Sequence, residues 1–165
     1  MSKLELPLVI DADGLNALVD ARELIEKRSA PTVLTPHPGE LARLLSSTPA
    51  KVQDDRVAAS AALSGRNTTV VLKGAGTVIS GSGRQIINTA GTPALATAGS
   101  GDVLSGVIGT YLAQGLSPIE AGALGAFVHG RAGEAAASAL TPICVTAEDI
   151  PAYLPTAVAE LLEQW

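Results

Sequence analysis

Aromatic residues are nearly absent from this chain of 165 residues, which has one tryptophan, two tyrosines and one phenylalanine. Its core must therefore be built mainly from Ala, Val, Leu and Ile, with close backbone approach at some of its 17 glycines. Charged residues are also scarce, at 16%, and they sum to a net charge of −5. A chain with this charge is not expected to have nucleic acid or an acidic membrane surface as its main partner.

Cysteine occurs once, at Cys144, so no intrachain disulfide can form and a reducing compartment is indicated. We expect Cys144 to behave as a small buried hydrophobic residue. The sequence shows no signal-peptide pattern, and its apolar stretch over residues 101–116 is too short and too rich in glycine to cross a bilayer. The chain is therefore expected to be a cytoplasmic protein with one domain over residues 1–165.

Apolar runs alternate along the chain with segments of helical spacing. Strands are predicted over residues 6–10, 32–35 and 68–72, and a glycine-rich turn at 81–83 predicts a hairpin with strands at 77–80 and 84–88. Helices are predicted over residues 15–25, 38–45, 54–63, 102–114, 118–140, 146–149 and 153–164. This alternation predicts an α/β fold, in which a mostly parallel sheet has helices on both faces and ligands bind beyond the carboxyl ends of the strands.

The turn formed by Gly99, Ser100, Gly101 and Asp102 is the strongest chemical signal in the sequence. Glycine lets the backbone approach a ligand closely, and the free N–H groups of a helix's first turn attract anions, so the turn is a candidate phosphate site. Asp102 fits this site as a general base beside the phosphate, although a helix cap is the alternative. The site is favoured because five polar side chains follow predicted strands: Asp11, Asp13, His37, Glu40 and Lys73.

Four segments, taken in order, resemble the NAD(P)H-hydrate dehydratases of the ribokinase-like superfamily. They are residues 9–16 (VIDADGLN), 34–40 (LTPHPGE), 70–74 (VVLKG) and 88–106 (NTAGTPALATAGSGDVLSG). The resemblance spans nearly the whole chain. The glycine–aspartate turn alone indicates the superfamily, whereas residues 37–40 and 88–106 are much more specific to the dehydratase.

The resemblance implies an activity that repairs NADH or NADPH after water has added to the nicotinamide ring. With ADP or ATP and Mg²⁺, the added hydroxyl is phosphorylated, and elimination of phosphate restores the reduced cofactor. The alanine-rich composition is typical of a bacterial chain and favours ADP. Two alternatives remain: a related small-molecule kinase of the hydroxyethylthiazole or pyridoxine type, which stops at a phosphorylated product, and a nucleotide-binding fragment without turnover.

The resemblance also implies a role for each site residue. Asp102 is the catalytic base, and the amides of Gly99, Ser100 and Gly101 form the anion hole. The nucleotide is held by Lys73, Gly74, Ala75, Gly76 and Thr77 together with Gly101. The substrate contacts His37, Asp102, Asp13 and Asn16, and Glu40 lies near the metal.

The residues themselves leave other interpretations open. Lys73 could be a solvated cation at a strand end, and His37, between two prolines, could be structural. Asp13 and Asn16 are explained equally well by helix capping. His129, in the middle of a predicted helix, is expected to have a packing role.

The family's catalytic domain extends on the order of a hundred residues before the strand that begins here at residue 6. The first strands of the sheet are therefore expected to be missing from this chain. Residues 6–10 would then form an exposed, apolar sheet edge, which favours pairing with another chain. We expect a homo-oligomer or association with the missing N-terminal segment.

Overall fold

A five-stranded sheet organises the chain, which the computed structural model describes over residues 4–163. Its strands, in spatial order, are β1 (Leu8–Ile10), β2 (Thr32–Leu34), β3 (Thr68–Leu72), β4 (Val78–Gly81) and β5 (Arg84–Ile87). β1, β2 and β3 are parallel, and β4 and β5 continue the sheet as an antiparallel hairpin. All five predicted strands are present, and the two parallel pairings build the edge to which the predicted site belongs.

Eight α-helices surround this sheet in the described part of the chain. They are α1 (Asp13–Asn16), α2 (Glu23–Glu26), α3 (Pro38–Leu44), α4 (Pro49–Asp54), α5 (Arg56–Ala61), α6 (Ser100–Ala113), α7 (Pro118–Leu140) and α8 (Ile150–Leu162). Two short 3₁₀ helices cover Val19–Ala21 and Pro93–Leu95.

Side chains of the central strands alternate between two apolar cores, one on each face of the sheet. Leu34 and Val70 pack into the core that includes Leu41 of α3. Their neighbours Val33 and Val71 point the other way, into a core that α6 and α7 complete. This alternation follows from the two-residue period of a strand, and it confirms helices on both faces.

Several predicted helix boundaries are wrong, and each error has a local cause. The helix predicted over residues 15–25 is divided into α1, a 3₁₀ turn and α2. The helix predicted from residue 54 begins at residue 56, because Asp55 is the N-cap of α5 and accepts a hydrogen bond from the Ala58 N–H at 2.9 Å. A separate helix, α4, precedes it and was not predicted.

The C-terminal predictions differ from the structure in a similar way. Residues 146–149 form a turn instead of a helix, because Asp149 accepts hydrogen bonds from the Thr146 N–H and hydroxyl at 2.8 and 2.7 Å. The predicted end of the last helix at Gln164 lies outside the described residues. α7 matches its prediction, including the capping box of Ser117 and Glu120.

Four glycines of α7 allow unusually close packing. A methyl group in place of the Gly130 hydrogen would lie 2.7 Å from the Ala90 carbonyl, and one at Gly125 would lie 2.5 Å from Ile108 Cγ1. Gly122 and Gly133 make similar approaches to Val71 and Leu95. A larger side chain at these positions would force the neighbouring backbone apart. These contacts fix α7 against the sheet, α6 and the segment that leads into α6.

The prediction for Cys144 is wrong, since the thiol is exposed. The residue lies in the loop after α7, where Thr141 adopts a positive φ of 69° and the helix ends. The neighbouring Ile143 is 95% exposed, so this part of the loop lies outside the core. Among the described residues, no helix is long and apolar enough to span a membrane.

Candidate functional site

The carboxyl ends of β1, β2 and β3 lie side by side and bring three predicted site segments together. The Thr35 N–H donates to the Ile10 carbonyl at 3.1 Å, which ties the loop after β2 to the end of β1. The Lys73 N–H donates to the Pro36 carbonyl at 2.8 Å, which ties the loop after β3 to the loop after β2. Asp11 directly follows β1 at this edge of the sheet.

Asp11 and Lys73 form an ion pair at this edge. Lys73 Nζ lies 2.8 Å from Asp11 Oδ1, and the two side chains are 22% and 12% exposed. Asp11 Oδ2 accepts a hydrogen bond from Ser105 Oγ of α6 at 3.1 Å, and Oδ1 accepts from the Ala12 N–H at 2.9 Å. Lys73 is therefore a largely enclosed cation held in place by a fixed carboxylate, and the solvated interpretation does not apply.

The first turn of α6 lies against this ion pair. A methyl group at Gly101 would lie 3.2 Å from Lys73 Nζ and 3.5 Å from Asp11 Oδ2. A helix N-terminus and an ammonium group therefore meet at one point, and both attract anions. A side chain at position 101 would occupy the space in which a phosphate could approach them.

Asp102 is the third residue of α6 and not its cap. The helix begins at Ser100, and its N-cap is Gly99, which has a positive φ of 86°. Within residues 4–163, the Asp102 carboxylate accepts no hydrogen bond, and the residue is exposed. The capping alternative is therefore wrong. The carboxylate lies where the helix dipole stabilises it and where a ligand can reach it.

Two of the three predicted anion-hole residues have structural contacts of their own. The Ser100 N–H makes a long hydrogen bond of 3.3 Å to the Thr97 carbonyl. The Ser100 hydroxyl is buried and lies 3.2 Å from His129 Nε2, so it points away from the site. Gly99 provides the left-handed turn that starts the helix. The anion-hole role of these amides remains a prediction, and it rests most directly on Gly101.

His129 is a buried side chain in the middle of α7, and it contacts the turn of residues 99–102. Burial lowers its pKa from 6.5 to about 4, so the imidazole is neutral at physiological pH. Its contact with Ser100 connects α7 to the first residue of α6. The residue thus packs and orients, as expected from its position.

His37 and Glu40 form a capping box at the start of α3. His37 Nδ1 accepts hydrogen bonds from the N–H groups of Gly39 and Glu40 at 3.0 and 3.3 Å, and Glu40 Oε2 accepts from the His37 N–H at 2.7 Å. Because Nδ1 accepts, the neutral ring carries its proton on Nε2, which lies 3.4 Å from Glu40 Oε1. His37 is therefore structural, yet its side chain is 51% exposed and can also contact a ligand.

The predicted nucleotide loop, residues 73–77, connects β3 and β4. It turns through two positive φ angles, 137° at Gly74 and 62° at Gly76, which only glycine adopts without strain. The Thr77 hydroxyl donates to the Gly74 carbonyl at 3.0 Å and closes the turn. The loop begins with Lys73, so its path is coupled to the ion pair with Asp11.

Arg56 of α5 shapes this loop, although its sequence context gave no signal of such a role. Its Nη2 donates to the carbonyls of Leu72 and Lys73 at 3.0 and 3.3 Å. A methyl group at Gly74 would lie 3.2 Å from both guanidinium Nη atoms. Partial burial lowers the pKa of Arg56. The guanidinium thus holds the loop through its backbone carbonyls and leaves the loop surface exposed to solvent.

Asp13 and Asn16 lie on α1, next to the Asp11 turn. Neither caps the helix, whose N-cap residue Ala12 makes no side-chain hydrogen bond. Asn16 Oδ1 instead accepts from Arg43 Nε of α3 at 3.1 Å, and Asp13 is exposed. Ala12 has a φ of 47°, a strained conformation of the kind that clusters at functional sites.

Within the described residues, no group of three or more His, Cys, Asp and Glu side chains is placed to hold a metal ion. Glu40, the predicted metal neighbour, already accepts the His37 N–H and lies 4.0 Å from Lys73 Nζ. Mg²⁺ prefers oxygen ligands and is often bound by one or two carboxylates together with substrate phosphates, so the Glu40 carboxylate is a donor of the right kind. The metal role of Glu40 remains a prediction.

Sequence reasoning missed two residues and one contact of this site. Ser105 lies three positions after Asp102 in α6, and it bonds the Asp11 carboxylate from there. Asp11 was recognised as a polar residue at the sheet edge, but not as the partner of Lys73. Helical spacing from Asp102 could have indicated Ser105, whereas nothing in the sequence indicated Arg56.

Comparison with known proteins identifies the family to which the chain is similar. The family model described as NAD(P)H-hydrate dehydratase matches residues 1–156. The bifunctional NAD(P)H-hydrate repair enzyme Nnr of Moorella thermoacetica is 44% identical over 166 residues, which cover 99% of this chain and 31% of that protein. The ADP-dependent (S)-NAD(P)H-hydrate dehydratase of Neisseria meningitidis serogroup B is 46% identical over 132 residues, 78% of this chain and 45% of that protein.

A solved structure agrees with these sequence comparisons. The ADP/ATP-dependent NAD(P)H-hydrate dehydratase of Bacillus subtilis, co-crystallised with ATP and Mg²⁺, superposes with a TM-score of 0.83 at 30% identity. The match covers 97% of this chain and 58% of that one. The predicted ribokinase-like fold is confirmed by such neighbours. The chain spans less than two thirds of each relative, and it belongs to the NAD(P)H-hydrate dehydratase family.

Proposed function

We propose that this chain catalyses the nucleotide-dependent dehydration of hydrated NADH or NADPH. The observation that carries the proposal is the meeting of the Lys73 ammonium, the first turn of α6 and the free Asp102 carboxylate at one sheet edge. Phosphoryl transfer to a hydroxyl requires an anion-binding site next to a base that is free to accept a proton. We call this group, formed by Lys73, the first turn of α6 and Asp102, the anion-binding corner. Membership of the dehydratase family supports this choice of reaction.

Each group at the corner then has one task. Asp102 accepts the proton of the substrate hydroxyl as the hydroxyl oxygen bonds to the terminal phosphorus of the nucleotide. The bond from that phosphorus to the bridging oxygen breaks, so AMP leaves from ADP, or ADP leaves from ATP. The amide of Gly101, with those of Gly99 and Ser100, stabilises charge on the transferring group, and the loss of one such donor typically costs about 3 kcal/mol of barrier. Elimination of phosphate then breaks the bond between carbon and oxygen, a proton leaves the neighbouring ring carbon, and the double bond that forms restores the reduced nicotinamide.

The remaining site residues bind the two substrates. We assign the nucleotide to the loop of residues 73–77 together with Gly101, and the hydrated cofactor to the half-exposed His37 with Asp13 and Asn16. Mg²⁺, when bound, neutralises charge on the phosphate oxygens. We assign Glu40, whose Oε2 lies 4.0 Å from Lys73 Nζ, to the neighbourhood of that ion, which its carboxylate would help to hold.

We propose ADP as the preferred phosphoryl donor. The Neisseria relative is described as ADP-dependent, and the Bacillus relative accepts ADP or ATP according to its description. The loop that would hold the nucleotide has no bulky side chain between Lys73 and Thr77, so it does not itself exclude a third phosphate.

The test is recovery of reduced-nicotinamide absorbance. Purified chain and Mg²⁺ are mixed with hydrated NADH, or with hydrated NADPH, and with ADP or ATP in separate reactions. We expect absorbance to return with ADP faster than with ATP, and one phosphate to be released for each cofactor restored. Reactions without nucleotide are the control.

Two other results would contradict the proposal. A stable phosphate ester without recovered absorbance would identify a small-molecule kinase. Nucleotide binding by a folded chain without any product would identify a binding fragment. Chromatography of the products separates the first of these outcomes from the expected one, and calorimetry identifies the second.

We also propose that the protein works in the cytoplasm and that β1 pairs with another chain or chain segment. In the described sheet β1 pairs with β2 alone, and the preceding Leu6 is 64% exposed. Arg28 holds this segment in place through the carbonyls of Leu4 and Leu6. An exposed apolar edge of this kind favours association.

Sedimentation velocity tests the pairing of β1. We expect the chain to sediment as an oligomer, and Leu6→Lys to shift it toward the monomer, because charge at a sheet edge disfavours pairing. Ile143→Lys is the matched control, since this residue is 95% exposed and lies far along the chain from β1. A monomeric unchanged chain would contradict the proposal.

A further inference from the structure

Asp11 has no task in the proposed reaction, yet its carboxylate lies closer to Lys73 Nζ than the Glu40 carboxylate does, at 2.8 Å against 4.0 Å. Its Oδ1 lies 2.8 Å from Lys73 Nζ, and a methyl group at Gly101 would lie 3.5 Å from its Oδ2. The carboxylate therefore lies next to both the cation and the helix turn at which a phosphate would bind.

Besides Lys73, two hydrogen-bond donors fix the position of this carboxylate. Ser105 Oγ donates to Oδ2 at 3.1 Å, and the Ala12 N–H donates to Oδ1 at 2.9 Å. Ala12 keeps a strained φ of 47° directly after Asp11. With 12% of its side chain exposed, Asp11 has little freedom to move away when an anion approaches.

The ion pair with Asp11 helps to position the Lys73 ammonium group, but it weakens the affinity of that group for anions. The ion pair confines a long, flexible side chain to one place beside Gly101, which favours reaction of a correctly placed phosphoryl group. It also places a negative charge next to the phosphate, which weakens the binding of any anion.

We propose that Asp11 is a positioning residue, which holds the Lys73 ammonium at the first turn of α6 and thereby limits how tightly the site binds phosphate groups. The part that concerns turnover rests on the proposed function, whereas the part that concerns binding does not. Asp11 acts through Lys73 and through its own charge.

The test compares Asp11→Asn with the unchanged chain. Asparagine keeps the shape but lacks the charge. Its Oδ1 can still accept from the Ala12 N–H, and its Nδ2 can donate to Ser105 Oγ, which then acts as the acceptor. We expect the dissociation constants of ADP and of inorganic pyrophosphate, measured by calorimetry without Mg²⁺, to fall by about 3- to 10-fold. In the dehydration assay, we expect kcat to fall by about 100-fold and the KM for ADP to fall with it.

Controls separate this effect from a change of net charge or of fold. Asp20→Asn removes an exposed acidic group on the first 3₁₀ helix, and it should leave binding unchanged. In a Lys73→Met background, Asp11→Asn should not lower kcat further, because the cation to be positioned is gone. Ser105→Ala keeps every charge and loosens Asp11, so it should lower kcat and leave the dissociation constants within about twofold.

Weaker binding of ADP or pyrophosphate by Asp11→Asn would overturn the proposal. An effect that appears only with Mg²⁺ would overturn it too, because it would identify Asp11 as a metal ligand. If Asp11→Asn does not fold, Ser105→Ala decides, and an unchanged kcat there counts against the proposal. An unchanged chain that binds ADP but shows no turnover contradicts the proposed function alone, because the binding comparison still stands. A chain that binds neither probe overturns both.

Discussion

Replacement of Asp102 by asparagine is expected to lower kcat by about 10²- to 10⁴-fold while ADP binding stays within a few-fold of the unchanged chain. The amide has the size of the carboxylate but cannot accept the proton of the substrate hydroxyl. The side chain is exposed and makes no hydrogen bond in the described part of the chain, so its removal breaks no contact of the fold. The lost interaction with the helix dipole costs about 0.3–1 kcal/mol of stability.

The measurement combines steady-state kinetics with calorimetry of ADP and thermal unfolding. Asp20→Asn provides a matched loss of one exposed carboxylate outside the site. A variant that keeps its turnover would show that Asp102 is not the base. A variant that loses ADP binding and unfolds at a much lower temperature would show that the residue mainly stabilises the start of α6.

Acidification is expected to destabilise this protein through the buried imidazole of His129. Burial lowers the pKa of His129 from 6.5 to about 4 in the folded protein, whereas the unfolded chain keeps the ordinary value. Between these two values the unfolded state binds the extra proton. The free energy of unfolding therefore falls as the pH drops from about 6.5 to about 4, by about 3 kcal/mol in total, and it is unaffected by His129 above pH 7.

The check is urea unfolding of the unchanged chain and of His129→Gln at pH 7.5 and at pH 4.5. The glutamine variant lacks the titrating group, so its stability should fall less on acidification. The acidic side chains titrate in both proteins, and their contribution cancels in the difference. Equal losses in the two proteins would show that His129 is protonated in the folded state, for example because water reaches it.

The sheet could be predicted because its strands are short apolar runs that end at polar or glycine-rich turns. The hairpin between β4 and β5 is an example: Ser82 and Gly83 both have positive φ, as a two-residue turn requires. Helix ends were harder to predict. Asp55 could be placed inside a helix by pattern alone, and only its bond to the Ala58 N–H shows that it separates two helices.

The residues that form the site could be predicted, but the contacts between their side chains could not. Parallel strands that end together bring Asp11, His37 and Lys73 to one edge, and this follows from chain order. Whether Lys73 is solvated or paired depends on side-chain distances that no spacing rule gives. Helical spacing from Asp102 could have indicated Ser105, but the support from Arg56 comes from an element distant in sequence and could not be inferred without the structure.

The glycines of α7 have a consequence for how the protein unfolds. Each interior glycine lowers the stability of a helix by about 0.5–1 kcal/mol relative to alanine, so α7 with four of them is a poor helix by itself. It remains helical because β3, α6 and the segment around Ala90 pack closely against those glycines. The helix and its neighbours are therefore expected to melt in one cooperative step, and a loss of helical signal would report the loss of the site.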